Sequence, residues 1–300
     1  MESKLDTRRL VLFLGFAFGI AWVAGLIIYL TGGLTNSPQI FPGVSLALVL
    51  LATVYMGAPA VANVLTRLIT REGWKNVGLR PHFKKGWRYW AAGWLLPVVM
   101  TISGAALFFL LFPQYFDASL PFVRRLMAAS PTSSSMTPWT LAIIQLAQAV
   151  LIAPIINSIA TFGEEFGWRA YLLPKLMPLG GRKAMLWIGL IWGVWHWPVI
   201  FMGYEYGFDY PGHPWVGPLL FLWVTFGLGT FLGWLTLRGK SIWPAVIGHA
   251  AINGIAGVPI FVTTGQPNPL LGPLPVGIIA SVGFALVALV IFISPSALKE

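Results

Sequence analysis

Long apolar stretches alternate with short polar segments along this chain. Eight of them are long enough to cross a bilayer as helices, at roughly residues 10–31, 43–66, 89–112, 138–162, 184–202, 215–236, 242–262 and 276–294. Runs of this length favour helices over the roughly ten-residue alternating strands of a membrane barrel, because backbone facing lipid must satisfy its own hydrogen bonds. The pattern predicts an all-α, polytopic membrane bundle of about eight spans, with residues 1–300 forming a single membrane domain.

The composition agrees with a protein whose solvent is the bilayer. Hydrophobic residues make up 57% of the chain and charged residues 9%, and the mean hydropathy is +0.78, which leaves too little polar surface for a soluble globule. The chain has no cysteine. Disulfides, thiolate metal ligands and a cysteine nucleophile are therefore excluded, and any nucleophile is a hydroxyl or an activated water.

The basic residues fall almost entirely on one side of the membrane if the eight spans alternate. The largest group lies between the second and third spans and consists of Arg67, Arg71, Lys75, Arg80, Lys84, Lys85 and Arg88. The opposite side receives only Arg124 and Arg125, together with the acidic Glu205 and Asp209. The positive-inside rule therefore predicts cytoplasmic N- and C-termini. The net charge of +10 is explained by loops that face anionic membrane lipids, and nucleic-acid binding is not expected.

Three groups of polar side chains interrupt the apolar stretches, where ionisable residues are costly and usually face a cavity. They are Glu164, Glu165 and Arg169; His196; and His249 with Asn253. Counting residues from the ends of the apolar stretches puts all three groups in the half of the membrane nearer the cytoplasm. The sequence thus predicts an intramembrane polar cavity that opens toward the cytoplasm.

The two adjacent glutamates are expected to have different roles. Consecutive helical residues point about 100° apart, so Glu164 and Glu165 cannot both face one cavity squarely. Glu165 precedes Arg169 by four residues, the favourable order for an ion pair on a helix. Glu164 is then left to face the bundle, where a carboxylate can act as a general base or acid.

Three short motifs carry a resemblance to a known family. The segments EEFGWR (164–169), WGVWH (192–196) and HAAIN (249–253) resemble the motifs of the CPBP intramembrane proteases. That family includes CAAX prenyl proteases of the Rce1 type and proteins of bacteriocin processing or self-immunity. The resemblance covers roughly residues 140–262 and implies that this segment contains the catalytic core.

The resemblance also implies roles for individual residues. Glu164 and His196 are expected to activate water, and His249 and Asn253 to steady the oxyanion. Glu165 and Arg169 would support them structurally. Trp192 stands where the family usually has phenylalanine, and it is expected to lie beside the catalytic groups. The implied reaction is hydrolysis of a membrane-associated peptide or protein substrate.

Other readings of the same residues remain open. Glu164, His196 and His249 form a His₂Glu set of the kind that binds catalytic zinc. We favour a mechanism without metal or other cofactor, because the chain lacks a His-Glu-x-x-His motif and Asn253 suits an oxyanion donor. A non-catalytic membrane scaffold or immunity protein is a further alternative, because fold does not determine function. A transporter would be expected to show internal repeats, and none is visible.

Overall fold

The structure is a computed structural model that describes residues 5–75, 77–129 and 136–299. Residues 1–4 and 300, on which the predicted location of the two termini depends, lie outside the described residues. The described part of the chain is mostly helical, with one two-stranded antiparallel ribbon formed by β1 (Gln39–Phe41) and β2 (Val44–Ser45). The all-α prediction is confirmed.

The first half of the chain supplies three long apolar helices. Helix α1 (Thr7–Leu30) and helix α4 (Phe83–Leu111) are continuous. Between them, the second span begins as α2 (Leu46–Leu50), passes through a π-helical turn at Leu51–Tyr55 and continues as α3 (Met56–Thr70). A short helix α5 (Pro121–Ala128) follows α4. Helices α1 and α3 pack against one another, whereas α4 packs against helices from the second half of the chain.

The fourth predicted span consists of two helices bent by 45°. Helix α6 (Pro138–Leu151) ends where α7 (Ala153–Gly167) begins. Pro154 has no N–H to offer the carbonyl of Val150, which lies one turn before it. The indole of Trp94 donates to that carbonyl instead, at 2.7 Å. The carbonyl of Val150 therefore keeps a hydrogen-bond donor in spite of the bend.

Helix α7 does not end where its apolar stretch ends. It continues through a π-helical turn (Trp168–Leu172), α8 (Leu173–Leu176) and a 3₁₀ turn (Met177–Leu179). The chain then reverses into α9 (Gly181–Trp195), which is followed by α10 (Trp197–Phe201). The remaining helices are α11 (Val216–Gly239), α12 (Trp243–Ile255), a 3₁₀ segment (Val258–Val262) and α13 (Val282–Ile293).

The predicted count of eight spans is not confirmed. Five helices in the described residues are long and apolar enough to cross a membrane, and the bent α6–α7 pair makes a sixth. The other two predicted spans contain α9, with 15 residues, and α13, with 12. The stretch at 184–202 fell short because Pro198 interrupts it, dividing α9 from α10. The molecule is a multi-pass helical membrane protein.

Helix α7 is held between α3 on one side and α12 on the other. Two glycines allow its close approach to α3. A Cβ on Gly167 would lie 2.2 Å from the Cβ of Pro59, and a Cβ on Gly163 would lie 2.7 Å from the carbonyl oxygen of Met56. Side chains at both positions would clash with α3. Glu164 and Glu165 lie between these glycines, so the close contact fixes the backbone that carries them.

Candidate active site

A cavity of about 140 Å³ lies among α7, the α9–α10 break, α11 and α12. Its lining includes Glu164, His196, His249 and Asn253. The structure therefore brings all four predicted catalytic residues to one cavity, although they are far apart in the chain. The three predicted supporting residues, Glu165, Arg169 and Trp192, lie directly behind them.

Two indoles hold the carboxylate of Glu164. Its Oε2 accepts hydrogen bonds from Nε1 of Trp192 at 2.8 Å and from Nε1 of Trp168 at 3.4 Å. The side chain is buried, with 3% of its surface exposed. No described residue donates to Oε1, so this oxygen is available to a water or substrate in the cavity. The indoles fix the direction of the carboxylate without neutralising it.

His196 occupies the break between α9 and α10. Its Nδ1 lies 2.7 Å from the carbonyl oxygen of Trp192. A carbonyl only accepts, so Nδ1 carries the proton and the neutral ring has its lone pair on Nε2. The ring packs edge-on against Trp195 at 4.8 Å and Phe221 at 4.9 Å. The unprotonated nitrogen is therefore the one left for chemistry in the cavity.

The break at His196 is stabilised by the N-terminal part of the chain. Near Pro198 the N–H of Val199 bonds to the carbonyl of His196 and leaves the carbonyl of Trp195 free. The hydroxyl of Tyr55 donates to the Trp195 oxygen at 2.6 Å, and the indole of Trp22 donates to it at 3.2 Å. Helix α1 and the π-helical turn of the second span thus hold the backbone next to His196.

Glu165 connects Arg169 to His249. Its Oε2 lies 3.0 Å from Nε of Arg169, and its Oε1 accepts from Nη1 of the same residue at 3.0 Å. The predicted ion pair is therefore confirmed. The same Oε1 lies 2.8 Å from Nδ1 of His249. This second contact was not predicted, because nothing in local spacing links residues 84 positions apart.

Trp192 contacts most of the candidate groups. Besides its bonds to Glu164 and His196, its ring lies 4.9 Å from the guanidinium carbon of Arg169 and 5.3 Å from the ring of His249. Both contacts are favourable, the first as a cation–π pair and the second as an edge-to-face pair. Trp192 therefore aligns the groups that face the cavity.

Asn253 lies one helical turn beyond His249 on α12. Its side chain is exposed toward the cavity that it lines. No described residue shares a hydrogen bond with its amide group. The N–H donors of Asn253 and the Nε2 atom of His249 are therefore both available on the same helix face.

The helix that carries Glu164 extends beyond the predicted end of the fourth span. Glu164 lies 15 residues before Leu179 and His196 lies 15 residues after Gly181. At 1.5 Å per residue, both are about 22 Å from the basic turn around Gly180. The prediction ended the fourth span near residue 162, whereas the helix continues well beyond it. Glu164 therefore lies farther from the 175–183 turn than the predicted span implied, whereas His249 lies only six residues after Trp243, where α12 begins.

Two loops also contribute to the lining of the cavity. Tyr204, Glu205, Pro275 and Val276 contribute to its wall, and they belong to connections at the end of the bundle opposite the 175–183 turn. The lining of the cavity thus extends to the 203–214 loop.

A zinc site is not preformed in the described residues. No three His, Asp or Glu side chains there are arranged to hold a metal ion. The Nδ1 atoms of His196 and His249 are both engaged by the protein, and Oε2 of Glu164 accepts from two indoles. The side chains of Glu164, His196 and His249 therefore do not converge on one point as metal ligands would.

The fold and the site define a multi-pass helical membrane protein with a glutamate–histidine centre inside its bundle. Residues 139–255 match the family model described as Type II CAAX prenyl endopeptidase Rce1-like. Over 97 residues the chain is 36% identical to the protein named CAAX prenyl protease 2 from Methanococcus maripaludis. That alignment covers 31% of this chain and 35% of the relative, about a third of its length.

This part of the chain is similar to the Rce1-like family. The matched residues 139–255 contain all three motifs from which the resemblance was inferred, and the resemblance is confirmed. Both comparisons support a protease. The first 138 residues lie outside the family match, although they supply Tyr55 and Trp22 to the backbone beside His196.

Proposed function

We propose that the protein is an intramembrane endopeptidase that hydrolyses peptide bonds of membrane-associated substrates. The observation that carries this proposal is the convergence of Glu164, His196, His249 and Asn253 on one cavity. Each of these side chains is oriented by the protein or its helix, yet keeps one polar atom free of protein partners. Such an arrangement suits a reaction that needs a base and oxyanion donors at fixed positions.

The free atoms can be assigned to the steps of hydrolysis. Oε1 of Glu164 and Nε2 of His196 accept hydrogen bonds from a water, and Glu164 removes its proton as the oxygen attacks the substrate carbonyl. The negative charge that develops on the carbonyl oxygen receives hydrogen bonds from His249 and Asn253. Glu164 then returns the proton to the leaving amine as the C–N bond breaks.

Glu165 determines how His249 can donate. The carboxylate of Glu165 accepts from Nδ1–H of His249, so donation from Nε2 requires the doubly protonated ring. The adjacent negative charge stabilises this imidazolium. Arg169 in turn neutralises part of the charge on Glu165, so that the carboxylate is not left alone in the interior. The three residues act together to hold one donor at the oxyanion position.

We expect purified protein to cleave members of a panel of peptides and membrane-protein segments without added metal. Because the proposed water activation uses only Glu164 and His196, cleavage should survive exhaustive treatment with phenanthroline. Fragments are measured by mass spectrometry, and bound metal by elemental analysis of the active protein. Loss of cleavage that zinc restores would support the metalloprotease alternative. Absence of any cleavage by well-folded protein would favour a non-catalytic scaffold.

The cavity is further proposed to open away from the cytoplasm. This follows from the positive-inside assignment of the basic loops together with the opposite location of the 203–214 loop. Single cysteines at Tyr204, Asp209 and Lys85 test it, because the chain has no cysteine of its own and all three residues are exposed. An impermeant maleimide on intact cells should label the first two and spare the third. The reverse pattern would establish a cytoplasmic opening.

A further inference from the structure

One acidic residue in the wall of the catalytic cavity has no part in the proposed chemistry. Glu205 lies in the loop after α10 and adopts a left-handed backbone conformation, with φ of 69°. This conformation is uncommon for a residue with a side chain. Tyr206, its neighbour, is buried and donates to the carbonyl of Val276 at 2.9 Å. The loop is therefore anchored directly beside Glu205.

Glu205 lies between two cavities. It lines the catalytic cavity, and it also lines a second pocket of about 220 Å³ formed by residues 260–274. The second pocket has no other charged residue in its lining, which includes Ile260, Pro267 and Leu274. A peptide that extends from the catalytic groups toward the open end of the bundle would pass the carboxylate of Glu205.

The carboxylate of Glu205 is not neutralised by the protein. It makes no hydrogen bond or ion pair with any described residue, and the side chain is half-buried. The lining of the catalytic cavity contains two carboxylates, those of Glu164 and Glu205, and no lysine or arginine. A partly desolvated carboxylate without a partner favours a cation from outside the protein.

We propose that Glu205 is a specificity-determining residue that binds a lysine or arginine side chain of the peptide substrate. The inference rests on the proposed peptidase function and adds a substrate class to it. The carboxylate would attract cationic substrates into the cavity and hold the chain in register while Glu164 acts. Neutral and acidic side chains would find no compensating partner at this position.

The preference should depend on pH. Burial raises the pKa of Glu205 to about 7, so the carboxylate is increasingly protonated below that value and charged above it. The other titratable groups around the cavity are Tyr55, Tyr204, Glu164, His196 and His249, with Tyr206 behind the loop. Their titration changes the rates for the cationic and the neutral peptide of a pair by the same factor. The ratio of rates for matched cationic and neutral peptides therefore isolates Glu205, and it should rise between about pH 6 and pH 8.

The test uses a peptide series in which a single lysine is moved through every position, each member paired with a glutamine twin. With wild type, kcat/KM at pH 8 should favour lysine at one position by about three- to tenfold. Glu205→Gln should abolish that preference and leave the rates for the glutamine twins near wild type. Glu205→Lys should favour a glutamate at the same position. Asp209→Asn, an exposed carboxylate of the same loop outside the catalytic cavity, is the matched control and should retain the preference.

Binding of the same peptides is measured in parallel by calorimetry, which separates the two proposals. Charge-selective binding that depends on Glu205, without turnover of any peptide, would contradict the peptidase function and support the role of Glu205. Turnover with equal rates and affinities for lysine and glutamine peptides would overturn the role of Glu205 alone. A Glu205→Gln variant that slows all peptides equally would also overturn it.

Discussion

Glu164→Gln is expected to lower turnover by about 10² to 10⁴, the usual range for loss of general acid–base catalysis. Glutamine has the same shape, and its amide oxygen can still accept from the indoles of Trp192 and Trp168. The variant loses only the basic carboxylate. Folding and thermal stability should stay near those of wild type. Single-turnover cleavage rates and thermal unfolding in detergent measure the two properties separately.

Asp209→Asn provides the control for this result. It also exchanges one carboxylate for an amide, but it does so on an exposed residue outside the catalytic cavity, so turnover should be unchanged. If Glu164→Gln were well folded and cleaved at the wild-type rate, another group would have to remove the proton from water. The assignment of Glu164 as the base would then be wrong.

Glu165→Gln is expected to impair stability first and catalysis second. Arg169 is 1% exposed, so removal of its partner charge leaves a buried cation uncompensated, which typically costs about 3–5 kcal/mol. His249 also loses the charge that stabilises its protonated form, so activity per folded molecule should fall by about tenfold, as for loss of one charge-assisted hydrogen bond. This loss is smaller than that of Glu164→Gln. The melting temperature and the activity normalised to folded protein are the readouts.

A double variant separates the two effects of Glu165. Glu165→Gln with Arg169→Met removes both charges and should recover part of the lost stability. Activity should not recover, because His249 still lacks its carboxylate. Glu164→Gln with Arg169→Met is the matched control and should show no gain in stability over Arg169→Met alone. If Glu165→Gln proved stable and inactive while Glu164→Gln proved unstable, the two glutamates would have the opposite roles.

The sequence predicted the features that local spacing determines. The ion pair between Glu165 and Arg169 follows from their separation by four residues on a helix. Apolar length predicted a helix in every stretch, because lipid exposure requires runs of that kind. The three motifs indicated which polar residues belong together. The structure places these residues around one cavity, as predicted.

The predicted end of the fourth span was too early for a physical reason. Hydropathy ended the fourth span near residue 162 because Glu164, Glu165 and Arg169 are polar. In the structure these side chains are compensated by one another, by His249 and by the indoles of Trp168 and Trp192. Paired or hydrogen-bonded in this way, they stay inside the bundle, and the helix continues past them. Pairing of this kind depends on contacts between distant segments, which hydropathy does not register.

The location of Glu205 beside the cavity could not be predicted from the sequence either. Its position after an apolar stretch marked it only as a loop residue on the side opposite the basic groups. Its presence beside the candidate catalytic residues depends on the break at His196, which turns the chain back over the cavity. Pro198 is a visible signal for a break, but the direction of the chain after it depends on packing against α11 and the 270–276 segment.

The hydrogen bonds from Tyr55 and Trp22 to the Trp195 carbonyl show that the region matched by the family model lacks some of the residues that stabilise the site. The family match begins at residue 139, whereas the backbone beside His196 is completed by residues of the first two spans. A fragment limited to the matched residues would leave that carbonyl without these two hydrogen-bond donors. It would also expose Gly163 and Gly167, which pack against α3. Transplanting the motifs into another membrane protein would thus require an equivalent of these N-terminal helices, whatever its sequence.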